Sequence, residues 1–129
     1  MAHYDALVVS VGASREPMVI THGEPHRANT IVTTAGVALI DWDTALLARR
    51  ERDLWMLIDE DPQIANDYTE RTGVTVDADA VELYRLWWDL CEISLYVTQF
   101  RRPHDDTEDT RVASQGLQRY LDPSRWRIA

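Results

Sequence analysis

The chain has 129 residues, 45% hydrophobic and 27% charged, the balance of one ordinary globular domain. Its formal net charge of -9 argues against nucleic-acid binding, which needs a surplus of basic residues, and suits cationic small molecules or basic partners. All 13 basic residues are Arg; a chain without Lys supplies neither a Walker A lysine nor a kinase strand lysine.

In chain order, Tyr4 to Val11 suits the end of a helix, and Gly12 to Pro17 a breaker. Met18 to Thr21 reads as a short buried strand, and His22 to Asn29, holding Gly23 and Pro25, as a loop. Thr30–Thr34 and Val37–Asp41 are β-type runs separated by Ala35-Gly36, a hairpin signature. Glu51 to Ile58 suits a short helix. Asp61-Pro62 opens another that stops at Gly73.

Asp77 caps the longest helix, about Ala78 to Phe100, with Leu83, Leu86, Trp87, Leu90, Ser94 and Val97 as its apolar stripe. Asp105 or Asp106 caps the last helix, which ends at Asp122-Pro123. The expected fold class is mostly α with a small β-hairpin, an α+β arrangement. The single Cys91 lies in an apolar helical run, so it reads as a buried thiol and excludes an internal disulfide. The chain shows neither a signal-peptide pattern nor an apolar run of membrane-spanning length, so the expectation is a cytoplasmic protein without a membrane partner.

The chemistry concentrates in Thr21-His22-Gly23-Glu24-Pro25-His26-Arg27-Ala28-Asn29 and Leu39-Ile40-Asp41-Trp42-Asp43. With Ala35-Gly36 as a two-residue turn, Thr30 faces Asp41 and Asn29 sits diagonally beside it, about 7–8 Å away. A bulge at Gly36 moves the register by one residue and keeps the two close. Glu24 lies five residues before Asn29, so three oxygen-bearing side chains converge where a hard cation such as Mg²⁺ finds suitable ligands. Zinc chemistry fits poorly. A deaminase needs P-C-x-x-C, and a zincin needs H-E-x-x-H on an unbroken helix.

H-G-E-x-x-x-x-N followed by a strand-ending I-D-x-D resembles the catalytic loop and metal-binding motif of the aminoglycoside phosphotransferase and choline kinase-like family, and parallels the protein-kinase pattern. Tyr84 to Val97 and Arg101-Arg102-Pro103-His104 are similar to the spectinomycin-phosphotransferase-like branch. The resemblance implies the C-terminal lobe of a protein-kinase-like fold, residues 1–129 as one truncated lobe without its N-terminal nucleotide-binding partner. It also implies ATP and Mg²⁺ as cofactors and a small-molecule hydroxyl acceptor, cationic by the chain's charge.

By position, the resemblance implies that Glu24 is the catalytic acid-base group, Asn29 and Asp41 hold the metal, and Asp53 buttresses the loop together with His22. His26 and Arg27 are candidate phosphate contacts, with solvation the alternative for Arg27; Asp43 reaches a metal or holds the loop. Trp88, Asp89 and Glu92 are candidate acceptor-binding residues, against a salt-bridged solvated face formed with Glu82 and Arg85. Two departures stand out. Glu replaces the usual Asp at position 24, and the Gly-rich loop, strand Lys and helix Glu are missing. The expectation is a phosphotransferase part that is inactive alone, or a non-catalytic kinase-like binding or regulatory module. Association as a homodimer, or with the missing lobe, follows from the docking surface that a missing lobe exposes.

Overall fold

The computed structural model describes residues 2–126, which form two compact units divided between Arg85 and Leu86. The first begins with helix α1 (Ala2–Ala13), apolar around most of its circumference, with Leu7 and Val11 buried. Strand β1 (Val19–Thr21) follows. A 3₁₀ turn at Arg27–Asn29 then leads into β2 (Thr30–Thr33), β3 (Gly36–Leu39) and β4 (Leu46–Ala48). The strands make two antiparallel pairs, β1 with β4 and β2 with β3. Strand β4 lies in the stretch between Trp42 and Arg50 that carries no β signal of its own. Its pairing with β1, Ile20 opposite Leu47, supplies the order that its three residues lack.

The hairpin forms with its turn one residue earlier than its composition suggests. Thr34-Ala35 are the loop residues, Thr33 faces Gly36, and Thr30 faces Leu39 instead of Asp41. The Thr33 hydroxyl accepts from the Ala35 N–H at 3.2 Å and donates to the Gly36 carbonyl at 2.9 Å, which fixes the bend before Gly36. Gly36 has φ 129, so the residue that frees the backbone sits at the exit of the turn.

Helix α2 (Glu51–Glu60) packs its first turn inward, with Leu54 and Trp55 buried beside Glu51 and Arg52. Helix α3 (Gln63–Thr72) starts where Asp61 accepts the Gln63 N–H at 2.9 Å, and stops at Gly73 with φ 71. Asp77 caps α4 (Ala78–Phe100) through the Asp79 and Ala80 N–H groups.

In the second unit, α5 (Glu108–Leu121) is capped by Thr107 and not by either preceding aspartate. The Thr107 and Thr110 hydroxyls close a reciprocal capping box, while Asp106 pairs with Arg111 at 3.0 Å. The inward stripe of α4 is also rotated from the expected one. Leu86 is buried, but Trp87, Leu90 and Val97 are about two-fifths exposed, and Asp89 has no exposed surface. Asp89 is accommodated because Arg125 meets it with two bonds, Nε to Oδ2 at 2.9 Å and Nη2 to Oδ1 at 2.6 Å. Tyr96 packs on Gly116, where a Cβ would come within 2.6 Å of the tyrosine oxygen, so that glycine sets the approach of α5.

Candidate active site

His22 organises the site. It is 1% exposed, and its two ring nitrogens serve opposite halves of the constellation. Nδ1 accepts the Glu24 N–H at 3.2 Å, and Nε2 donates to the Ile40 carbonyl at 2.8 Å. This is the neutral tautomer with the proton on Nε2. One imidazole therefore ties the loop that carries Glu24 to the strand end that carries Asp41. Trp42 closes over it edge-on, ring centres 4.6 Å apart.

The loop is held from beneath by the first turn of α2. Asp53 accepts the His22 N–H at 2.8 Å and the Gly23 N–H at 2.6 Å, one carboxylate oxygen for each. From the other side, the buried Arg52 guanidinium donates to Thr21 Oγ1 at 2.8 Å and to the Thr44 carbonyl at 2.9 Å, and lies directly against Gly23. Gly23 has φ 98 and its missing Cβ leaves room for that guanidinium. Thr44 Oγ1 donates to the His22 carbonyl at 2.7 Å, completing the clamp.

Arg52, Thr21 and Thr44 do not stand out in the sequence. The available signal is the run Arg49-Arg50-Glu51-Arg52-Asp53, five charged residues beside a short strand, of which the first four are buried. Arg49 bridges Glu51 at 3.3 Å and Asp77 at 2.9 Å, fastening α2 to the cap of α4.

Asn29 is buried and its Nδ2 donates to the Glu24 carbonyl at 3.0 Å, closing the loop and leaving Oδ1 as the oxygen for another ligand. The Asn29 carbonyl accepts the Ile40 N–H at 2.9 Å, so the β2–β3 ladder continues one pair further and Asp41 follows directly. Asp41 is exposed and has φ 64, the one non-glycine in the left-handed region among the described residues. A left-handed turn there ends the strand alternation and costs of order 1–3 kcal/mol, the kind of strain that collects at functional sites.

Glu24 keeps about a third of its side chain exposed, with His26 Nε2 3.8 Å from its Oε2. Arg27 is almost fully solvated, 3.6 Å from Glu60. Asp43 is exposed next to Trp42. Thus Glu24, Asn29 and Asp41 gather at the base of one ribbon, with His26 beside Glu24 and Arg27 turned to solvent.

The donor set fits a magnesium-type cation. An amide oxygen and a carboxylate are hard ligands, and such ions take one or two carboxylates and complete their shell with phosphate and water. The described residues hold no cluster of three or more His, Cys, Asp or Glu able to bind a metal by themselves, so a protein-only cage is not built here.

Trp88, Asp89 and Glu92 lie in the second unit. Asp89 is taken up by Arg125, and Trp88 hydrogen-bonds the Tyr120 hydroxyl. Of the stripe expected as a salt-bridged solvated face, Glu82 and Arg85 do pair, at 2.6 and 3.0 Å, but with the guanidinium only 13% exposed. Burial raises the Tyr120 phenol above its ordinary value; the Trp88 bond lowers it, Glu92 and Asp89 raise it, and Arg125 lowers it. Cys91 is half-buried; burial, then Glu92, raises its thiol.

Residues 1–93 match the model of the phosphotransferase enzyme family. Protein StrN of Streptomyces griseus is 34% identical over 110 residues, 85% of this chain and 31% of that protein. Two crystal structures of spectinomycin phosphotransferase, APH(9)-Ia, share the fold. The complex with ADP and spectinomycin gives a TM-score of 0.69 at 22% identity, and the AMP-bound complex 0.66 at 21%. Each match covers 95% of this chain and 42% of the larger one, so the chain spans well under half of the proteins it matches. The family expected from the run His22 to Leu54 is the one matched, and the mostly α fold with a minor sheet is that of a kinase-like fragment.

Proposed function

Since this chain belongs to the phosphotransferase enzyme family, we propose that it carries the acceptor-activating and metal-holding part of an ATP-dependent transfer to a hydroxyl of a small molecule. The observation that carries the reading is the His22 imidazole, bonded to Glu24 on one side and to the residue before Asp41 on the other. In this reading the Glu24 carboxylate takes the proton of the acceptor hydroxyl as its oxygen bonds to the γ-phosphorus, and ADP departs with the bridging oxygen. Asn29 Oδ1 and Asp41 hold Mg²⁺, which when bound neutralises charge on the nucleotide phosphates. Asp53 and Arg52 keep the loop in place. The acidic chain suits an amine-bearing acceptor.

The chain alone is inactive in this proposal, because it contains no Lys and no phosphate-cradling glycine loop, and positioning supplies most of the catalysis in phosphoryl transfer. Those same absences favour a second reading, a kinase-like module that binds a ligand without turnover. Purified chain with Mg²⁺-ATP and a panel of amine-bearing acceptors gives only background ADP release. Fused behind a nucleotide-binding lobe, it transfers phosphate if the first reading holds and only binds if the second does. In the fusion, Glu24→Gln keeps nucleotide affinity and loses about 10²–10⁴-fold in transfer. Asp41→Ala loses metal-dependent nucleotide binding. Near-full transfer by Glu24→Gln overturns the base assignment, and unchanged Mg²⁺-ATP binding by Asp41→Ala overturns the metal assignment.

A further inference from the structure

Asp41 opens a short excursion of the chain that one residue holds at both ends. Before it, the Ile40 carbonyl accepts from His22 Nε2 at 2.8 Å. After it, Thr44 Oγ1 donates to the His22 carbonyl at 2.7 Å. Asp41, Trp42 and Asp43, between these anchors, are all exposed, whereas His22 is buried. The segment doubles back on itself. The Ala45 N–H donates to the Trp42 carbonyl at 3.1 Å, and the Trp42 indole N–H to the Leu39 carbonyl at 2.9 Å.

The backbone at Asp41 has φ 64, a conformation that costs a non-glycine residue and persists where its surroundings over-determine it. Little packing surrounds an exposed residue, so the constraint comes from the two ends of the excursion. The inner end is fixed twice, because Ile40 also donates its N–H to the Asn29 carbonyl at 2.9 Å. The outer end is the half-buried Thr44, whose carbonyl accepts from Arg52 Nη2 at 2.9 Å while its hydroxyl reaches His22. These two bonds fix different things. The guanidinium ties Thr44 to α2. The hydroxyl ties it to the histidine whose Nδ1 accepts the Glu24 N–H, and so joins the turn after Asp41 to the loop that carries Glu24.

We infer that Thr44 is the positioning residue for the metal-holding carboxylate of Asp41, its hydroxyl closing onto His22 the turn that keeps Asp41 left-handed beside the Asn29–Ile40 pair. The inference rests on the metal role proposed above for Asn29 and Asp41. Thr44 gives its hydroxyl proton to His22 and acts only through Asp41. Groups that orient a ligand without touching the ion carry about 10–100-fold in metal affinity.

Mn²⁺ takes the oxygen ligands that suit Mg²⁺ and broadens nearby amide signals, so it reports binding without nucleotide or turnover. In the intact wild-type chain, Mn²⁺ broadens the amides around Asn29 and Asp41, and separately those of the acid-rich stretch from Asp105 to Asp109. Thr44→Val removes the hydroxyl and keeps the carbonyl that Arg52 binds. It raises the Mn²⁺ concentration needed at Asn29 and Asp41 by about 10–100-fold and leaves that needed at 105–109 unchanged. Thr44→Ser, which keeps the hydroxyl, restores the wild-type response. In the wild-type chain, where no variant has to fold, Mg²⁺ slows hydrogen exchange of the amides from Asp41 to Ala45. An unchanged response at Asn29 and Asp41 in Thr44→Val overturns the inference and leaves the metal assignment standing. So does a Thr44→Ser chain that fails to restore the response, or Mg²⁺ binding that leaves the 41–45 amides exchanging as before. A wild-type chain in which Mn²⁺ broadens neither Asn29 nor Asp41 overturns the metal assignment itself, and the inference falls with it.

Discussion

Asp53 and Gly23 determine whether the catalytic-type loop exists at all. The Asp53 carboxylate accepts two backbone N–H groups, and each such bond to a charged acceptor contributes about 1.5–3 kcal/mol. Asp53→Ala therefore lowers stability by about 3–6 kcal/mol in urea unfolding monitored by circular dichroism. Gly23→Ala meets both the Arg52 guanidinium and a φ of 98, so it destabilises by about 1–3 kcal/mol. Measured within an Arg52→Ala background, Gly23→Ala keeps only the backbone share of its cost, because the guanidinium it would meet is gone. Much of this was legible in the residues: His22, Glu24, Asn29, Asp41 and Asp53 announce the loop by type and spacing. Arg52 does not, because an arginine in a charged run reads as solvated until β1 and β4 close over it. The left-handed backbone at Asp41 is equally hidden, since aspartate is one of the few non-glycine residues that can take that conformation but does so only at occasional positions.

At the level of elements, boundary residues with a single stereochemical solution were readable, and choices among near-equivalent ones were not. Gly73 ends α3 because a left-handed residue is required there, and Pro62 follows Asp61 at a helix start. Thr107, Asp105 and Asp106 are all competent caps for α5; Arg111 draws Asp106 away, and the Thr110 hydroxyl favours Thr107. Thr107→Ala thus costs about 1 kcal/mol, read as a lower melting midpoint, while Asp105→Ala leaves the midpoint nearly unchanged. The hairpin register depended on whether Ala35-Gly36 or Thr34-Ala35 forms the bend, and a hydroxyl bond from Thr33 decides it. The α4 stripe departs from its periodicity for a related reason: Asp89 counts as polar and so outward, but Arg125, 36 residues later, makes it an inner residue. Asp89→Ala removes a fully buried carboxylate that accepts two guanidinium bonds, and in unfolding it is far more destabilising than Glu82→Ala, whose carboxylate is 28% exposed.

The whole molecule carries its ionisable strain unevenly, and this shows in its response to alkali. The folded chain holds Tyr120 protonated beyond its ordinary range, mainly by burial, so folding is favoured below the ordinary phenol value of about 10 and that contribution is lost as pH rises through it towards the raised folded value. Near-ultraviolet circular dichroism of the second unit's aromatic residues declines at alkaline pH, and Tyr120→Phe moves that decline upward. At the other extreme, Asp122 is held below its usual range by Ser124, so its share is present above the ordinary carboxylate value and is lost as pH falls below it through the lowered folded one. The five tryptophans report on these regions separately, since Trp55 is sealed in the first unit while Trp42 is half exposed between Asp41 and Asp43. Stacked edge-on against His22, Trp42 is thereby a lamp at the mouth of the site. A phosphate or cation settling beside it displaces water from the indole and changes its colour, so a chain whose other four tryptophans are replaced by phenylalanine reads out occupancy without any label or turnover.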